Sequence, residues 1–387
     1  MGEAVDLISF QPTEEESAFA DLAGEVAREQ IRPMAMECEQ EGRVHPDLVK
    51  TMMELGFTNL ELPENWGGLE MPLLSQAQIW GALGYGDLGV VQGLPGAGEG
   101  ASLIRLIPDH PALQSYKTAG ADGDWPTVAF LHAVDGEGMS GVQVDSNGEG
   151  YVLKGTSQPF RLAAFAENLL VAVNDPGGEP LLLWLDRRDG SRWHVVEGDY
   201  RLGLLAAGCA RVRFEEEMIT PGQVIAKGSE ARELLSQALA RIYVLEVAKE
   251  VGLMEAAVSY TAEYTAQRKA FGQEIAKFQG VSFTLADMAI ETRTSRNLLW
   301  QTAERIDDGN PDGRKAVGGI LSRVHQSLRF VTDSAVQLLG GHGYVQEFPV
   351  EKWMRDAQAQ VSLYGREGEL MARRGEQLLG EHVPTGA

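Results

Sequence analysis

The chain has 387 residues, 44% of them hydrophobic, a length that calls for two or three packed regions. Acidic residues number 56 against 33 basic, a formal charge of −23 that repels nucleic-acid phosphates and anionic lipid surfaces. No apolar run is long enough to span a bilayer, the start MGEAVDLISF lacks a secretion signal, and Cys38 and Cys209 make neither a disulfide framework nor a metal-ligand pattern, so the expectation is a cytoplasmic globular protein.

Residues 1–124 read as an α-helical domain. EEESAFADLAGEVAREQIRPMAMECEQ carries helical periodicity, and HPDLVKTMMELGF opens at Pro46 and closes near Gly56. ELPENWGG and GLPGAGEGAS are loops by their Gly and Pro content, and GAGEGA misses both the G-x-G-x-x-G and the phosphate-loop spacing. Over 125–228 the texture turns to short apolar runs, among them TVAFLHAV, GYVLKGT, NLLVAV and PLLLWL, which predicts a small β-barrel or sandwich. Residues 229–387 return to long helices, with later segments starting near Ile275, Pro311 and Pro349. Phe278, Val281, Leu285 and Met288 recur at 3–4 spacing, so one face of that segment is buried, as in an antiparallel four-helix bundle. The fold class is α+β, with no internal repeat.

Three stretches carry a family resemblance: QRKAFGQEIAKFQ at 267–279, AVQLLGGHGYVQEFPVEKWMRDA at 335–357 and PENWGG at 63–68. With the order of helical domain, β-domain and bundle, they make the chain resemble an acyl-CoA dehydrogenase over essentially its full length. The resemblance implies FAD held at a subunit interface, two chains sharing each cofactor. The groups that a neighbouring chain contributes to the FAD diphosphate and adenosine resemble Arg268, Phe271, Gln279 and the turn from Gln337 through Gly340 and Gly341 here. An always-charged Arg suits a diphosphate, and paired glycines let backbone approach it closely. Taken alone, the Gly pair reads first as a plain helix C-cap, and His342 in the same turn as packing or turn geometry.

The segments by which a family member holds its own flavin and substrate look different. The T-E-P-x-A-G-S-type stretch becomes LHAVDGEGMSG, and the W-[IV]-[TS] triplet, counted from GYVLKGT, becomes Pro159, Phe160 and Arg161. An aromatic wall is lost and a full charge enters where a neutral ring is expected, although Phe160 is still able to stack. Counting from Arg355, Asp356 and Ala357 to the family's E-G-T-x-Q segment, whose Glu is the base that removes the substrate Cα proton, gives Tyr364, Gly365, Arg366 and Gly368. The base position that some relatives use on the earlier helix is Ile242. Tyrosinate at neutral pH asks for about 4 kcal/mol of compensation, some of it from Arg355 or Arg366. Glu367 is the other candidate base, but it reaches the site only through an insertion and otherwise reads as a solvated acid at a helix start.

The losses fall on what the chain would use itself, and the retained residues on what it would contribute to a neighbour. The sequence therefore predicts a non-catalytic chain that completes the FAD site of a homologous catalytic acyl-CoA dehydrogenase chain, in an α2β2 complex acting on an acyl-CoA. Analogy with heteromeric family members suggests bulky steroid side-chain substrates, and the family implies electron-transfer flavoprotein as electron acceptor. The alternatives are a self-sufficient homotetramer working through Tyr364, Arg366 and Glu367, and a non-enzymatic acyl-CoA binding protein.

Overall fold

The computed structural model describes residues 13–134, 141–148, 150–196, 201–364 and 367–382. The chain opens with α1 (Glu14–Val26), where Thr13 and Glu16 cap each other's backbone N–H groups. The long helix expected from the sequence continues as α2 (Arg32–Glu41), but a wide turn at Ala27–Ile31 lies between, with Arg32 N–H reaching the Ala27 carbonyl. Pro33 has no N–H, so the regular ladder is already interrupted there and the wide turn absorbs the break. Then come α3 (Pro46–Glu54), α4 (Leu73–Gly86), α5 (Leu88–Gln92), α6 (Gly100–Ile104) and α7 (Gln114–Ala119).

The middle of the chain contains β1 (Val128–His132), β2 (Val142–Asn147), β3 (Gly150–Thr156), β4 (Asn168–Asn174), β5 (Pro180–Asp186), β6 (His194–Val196), β7 (Arg211–Ile219) and β8 (Val224–Lys227). They form two four-stranded sheets, ordered β1-β4-β5-β8 and β2-β3-β7-β6, with β1 and β4 parallel. Both sheets supply one core, Leu169, Val171 and Leu183 facing Leu153, Val212 and Phe214. β4 and β5 are apolar on both faces because both are covered. Their alternate residues Leu170, Ala172, Leu182 and Trp184 pack on Tyr116, Trp125 and Ile242 of the helical regions.

The last part holds α8 (Gly228–Gln267), a hairpin of β9 (Lys269–Ala270) and β10 (Gln273–Glu274), α9 (Gln279–Asp307), α10 (Pro311–Leu339), α11 (Val350–Gln360) and α12 (Glu367–His382). The buried stripe of α9 runs through Met288, Thr292, Ser295 and Leu299. Phe278, Val281 and Leu285 are only half-buried, because they sit at the bundle end described below.

α4 crosses α8 through glycine. A Cβ on Gly252 would lie 2.1 Å from the Gly81 carbonyl oxygen and 2.7 Å from the Tyr85 nitrogen, and one on Gly84 would lie 2.5 Å from the Lys249 carbonyl oxygen. These contacts are to backbone, which cannot rotate away. Gly252→Ala is therefore expected to lower stability by roughly 1–3 kcal/mol, read as a shift of the urea midpoint at constant slope.

Candidate functional site

Phe160 and Arg161 are neighbours and turn to opposite sides. Phe160, bridged to Ala210, is buried between the two sheets and is not free to stack on a ligand. Arg161 enters the helical side and is 5% exposed. Its Nε donates to the Gln92 carbonyl at 2.5 Å, and its guanidinium lies 3.7 Å from Glu99 and 4.0 Å from Glu246. The Tyr364 hydroxyl donates to the same Glu99 carboxylate. Lys249 donates to Glu246 at 2.5 Å and to Gln92 at 3.2 Å, while Gln360 donates to Glu246 at 3.0 Å and to Glu250 at 3.1 Å. Glu250 in turn faces His325 Nε2 at 3.1 Å. The result is one buried polar seam from the β-sandwich through α5 and α8 to α10 and α11.

Burial and mutual charge set the protonation tendencies of this seam. Burial pushes the Glu99 carboxyl up, with Arg161 opposing and Glu246 adding to the rise. Burial also opposes the Glu246 charge, but Lys249 and Arg161 outweigh it and its pKa is lowered. Burial likewise works against the Arg161 charge, yet Glu99, Tyr364 and Glu246 hold it firmly protonated. Tyr364 is raised well above the usual phenol range, first by burial and then by Glu246 and Glu99. A tyrosinate base is thus disfavoured by its own surroundings.

The cavity beside this seam, between α4, the 93–99 loop and α8, measures about 40 Å³. That is room for about two or three waters, against roughly 300 Å³ or more for a drug-sized ligand. Trp80, Leu94 and Ile242 form its apolar walls, so the second expected base position is a hydrophobic surface. Gln76 and Glu61 close the other side, Glu61 being held by Arg241 at 2.5 and 2.8 Å and by Gln76 at 2.5 Å. A larger groove of about 440 Å³ lies elsewhere, beside Ser115, Asp189 and Gln223, and none of the expected site residues lines it.

Arg355, expected to favour a tyrosinate, is otherwise engaged. It pairs with Glu39 at 2.6 Å and Glu351 at 2.7 Å, and Asp356 accepts from Leu204 N–H and Lys352, both at 2.6 Å. This stretch is a structural joint between α11, α2 and the 201–208 loop. Glu367 starts α12, its carboxylate paired with Arg329 of α10, so the two candidate bases do not share a site. Gly365, Arg366 and residues 135–140 of LHAVDGEGMSG lie outside the described residues. Glu99, Glu246, Lys249 and Glu250 were not anticipated from the sequence. A signal existed for three of them, charges at i, i+3 and i+4 inside the otherwise apolar VLEVAKEVGLM, a pattern that a solvated helix face does not make.

The opposite is found where α8 ends, α9 begins and α10 ends, at one end of the bundle. Arg268, Gln279 and Gln337 are all exposed there. Phe271 is 96% exposed and has φ 51°, followed by Gly272 at φ 87°, a two-residue hairpin turn that presents its ring to solvent. Gly340 has φ 59° and ψ −129°, away from the left-handed geometry of an ordinary helix cap, and nothing lies within 4 Å of a Cβ built on Gly340 or Gly341. His342 packs: it bonds Tyr264 through Nδ1 at 2.8 Å and stacks on Phe348 with centroids 4.5 Å apart. Tyr344 in the turn after α10 and Phe283 and Ile290 on α9 are exposed as well.

Residues 13–105 match the family model for the acyl-CoA dehydrogenase N-terminal domain and 235–376 that for the acyl-CoA dehydrogenase C-terminal domain. The chain belongs to the acyl-CoA dehydrogenase family. It is 25% identical over 363 residues to YngJ of Bacillus subtilis, named for this family, covering 90% of this chain and 94% of that one. It is also 25% identical over 362 residues to a short-chain-specific acyl-CoA dehydrogenase of Clostridium acetobutylicum, covering 90% and 94%. In structure it resembles butyryl-CoA dehydrogenase of Megasphaera elsdenii, with TM-score 0.79, 23% identity and 96% and 100% of the two chains covered. A glutaryl-CoA dehydrogenase of Mycobacterium smegmatis in complex with FADH2 has TM-score 0.81, 16% identity and 95% of each chain covered. Among the described residues, no helix is long and apolar enough to cross a membrane.

Removing Arg161 leaves Glu99 and Glu246 buried beside each other with one cation fewer. Arg161→Met is expected to cost about 3–5 kcal/mol, and adding Glu99→Gln should recover part of that loss. Denaturant titration of the two variants checks both; a cost for Arg161→Met no larger than that of an exposed Arg would contradict the seam.

Proposed function

We propose that this chain is the non-catalytic partner in a heteromeric acyl-CoA dehydrogenase, completing the FAD site of a homologous catalytic chain in an α2β2 complex. The observation that carries the reading is the filled pocket: Arg161, Tyr364 and Glu99 are locked together where the chain would need room for a ring and an acyl group, with about 40 Å³ left. The residues of the chain's own half do not suit FAD. Those of the contributed half do, with Arg268 exposed to meet a diphosphate, Gln279 and Gln337 to hydrogen-bond its surroundings, and Gly340 and Gly341 open to close backbone approach. Phe271, held out by its hairpin turn, is the apolar anchor against the partner. FAD supplies a hydride acceptor for α,β-dehydrogenation of the acyl-CoA, and that chemistry belongs to the other chain.

Bulky steroid side-chain substrates remain part of the proposal, but their room lies on the catalytic chain's side, since the pocket here is closed. The electron acceptor we assign is an electron-transfer flavoprotein, and the compartment is the cytoplasm, in keeping with Cys38 and Cys209 both free and buried. The self-sufficient alternative lacks a base, Tyr364 being held protonated and Glu367 occupied by Arg329. The acyl-CoA binding alternative lacks a pocket of adequate size among the expected site residues.

Purified alone, the chain is expected to carry essentially no flavin by absorbance, and flavin should appear on co-expression with a relative that keeps E-G-T-x-Q and W-x-T intact. One flavin per chain in the isolated protein would overturn the reading. In the co-expressed complex, Arg268→Ala should lower flavin content while leaving the ratio of the two subunits unchanged.

A further inference from the structure

The seam contains three cationic side chains, Arg161, Lys249 and His325, and three carboxylates, Glu99, Glu246 and Glu250, all buried. Arg161 and Lys249 lie on Glu99 and Glu246, so among the described residues His325 is the cation that faces Glu250. His325 sits where four helices meet. From α8 it faces Glu250 at 3.1 Å, and from α12 and α10 the charged groups around it are Glu367 and Arg329, which pair with each other. From α11 comes neutral Gln360, which bridges Glu250 to Glu246. Glu250 Oε2 and His325 Nδ1 have no hydrogen-bond partner, so the pair meets through Glu250 Oε1, which also accepts from Gln360.

We propose that His325 is a proton switch for the seam: its imidazolium is the cation paired with Glu250 where α8 packs on α10 and α11, and its loss as pH rises leaves that buried carboxylate without its cation and loosens this packing. This inference does not rest on the partner-chain reading. Burial works against the imidazolium, but Glu250 outweighs it and the His325 pKa is raised. The sign follows from linkage. Stability from the His325 proton is complete below the ordinary histidine pKa of about 6.5, and is lost as pH rises through the higher folded value. Glu99, pushed up by burial, loses its own proton in the same sense, so it must be separated from His325 by experiment.

The test is hydrogen exchange on the whole chain, following peptides of α8 and α10 on both sides of neutrality after correction for intrinsic rates. The wild type should show local opening that rises at least about tenfold toward alkaline pH. Glu250→Gln removes the carboxylate that needs the proton and should abolish that rise, whereas Glu99→Gln should leave it in place. His325→Gln should be open throughout the range; if it does not fold, the other two variants still decide. No rise in the wild type, a rise that survives Glu250→Gln, or one that disappears with Glu99→Gln would each overturn the assignment.

Discussion

A guanidinium buried at the junction of sandwich and helices is the constraint around which this chain is arranged. An isolated charge in a protein interior is prohibitively unstable, so Arg161 requires partners on every side that faces it. The first is the Gln92 carbonyl, at the last residue of α5, where a helix has acceptors without intrahelical donors. The others are Glu99 and Glu246, and each of these needs further partners, Tyr364 for one, Lys249, Gln92 and Gln360 for the other. Arg161, in a loop of the β region, is thus tied to residues on α5, α8 and α11. The network excludes bulky ligands as a consequence of satisfying itself.

α8 connects this closed interior to the open end of the bundle. Near its middle it supplies Glu246, Lys249 and Glu250 to the seam, and near its end Tyr264 steadies the turn at His342 just before Arg268 emerges into solvent. In the same stretch α8 packs closely on α4 through Gly84 and Gly252, and Lys249 reaches Gln92 of α5. A single rigid element therefore fixes both the pocket that is filled and the surface that is exposed. On the proposed partner-chain role, this asymmetry separates the chain from a family member that has merely lost one catalytic side chain.

Much of the fold was legible in order along the chain. The apolar runs of β4 and β5 announced strands, Pro46 and Pro311 began helices, and the 267–279 and 335–357 stretches pointed to the acyl-CoA dehydrogenase family. The position of Tyr364 could be counted from Arg355, and the change to Arg161 from GYVLKGT. The partners of these residues could not. Glu99 lies 62 positions from Arg161 in a loop that reads as a plain Gly-rich break, and contacts over such separations leave no local pattern.

The sequence by itself determined the family and most of the elements, and by counting it put Arg161 and Tyr364 at the expected flavin and base positions, because periodicity, turn chemistry and motif spacing are local properties of a chain. Only the tertiary structure decided what each of these residues contacts. Sequence counting allowed Arg355 to aid Tyr364, Phe160 to stack and Glu367 to enter the site; folding turned Arg355 to Glu39, Phe160 into the sandwich core and Glu367 to Arg329. The physical reason is that a buried charge selects its partner by proximity and desolvation, and both exist only once distant segments have packed.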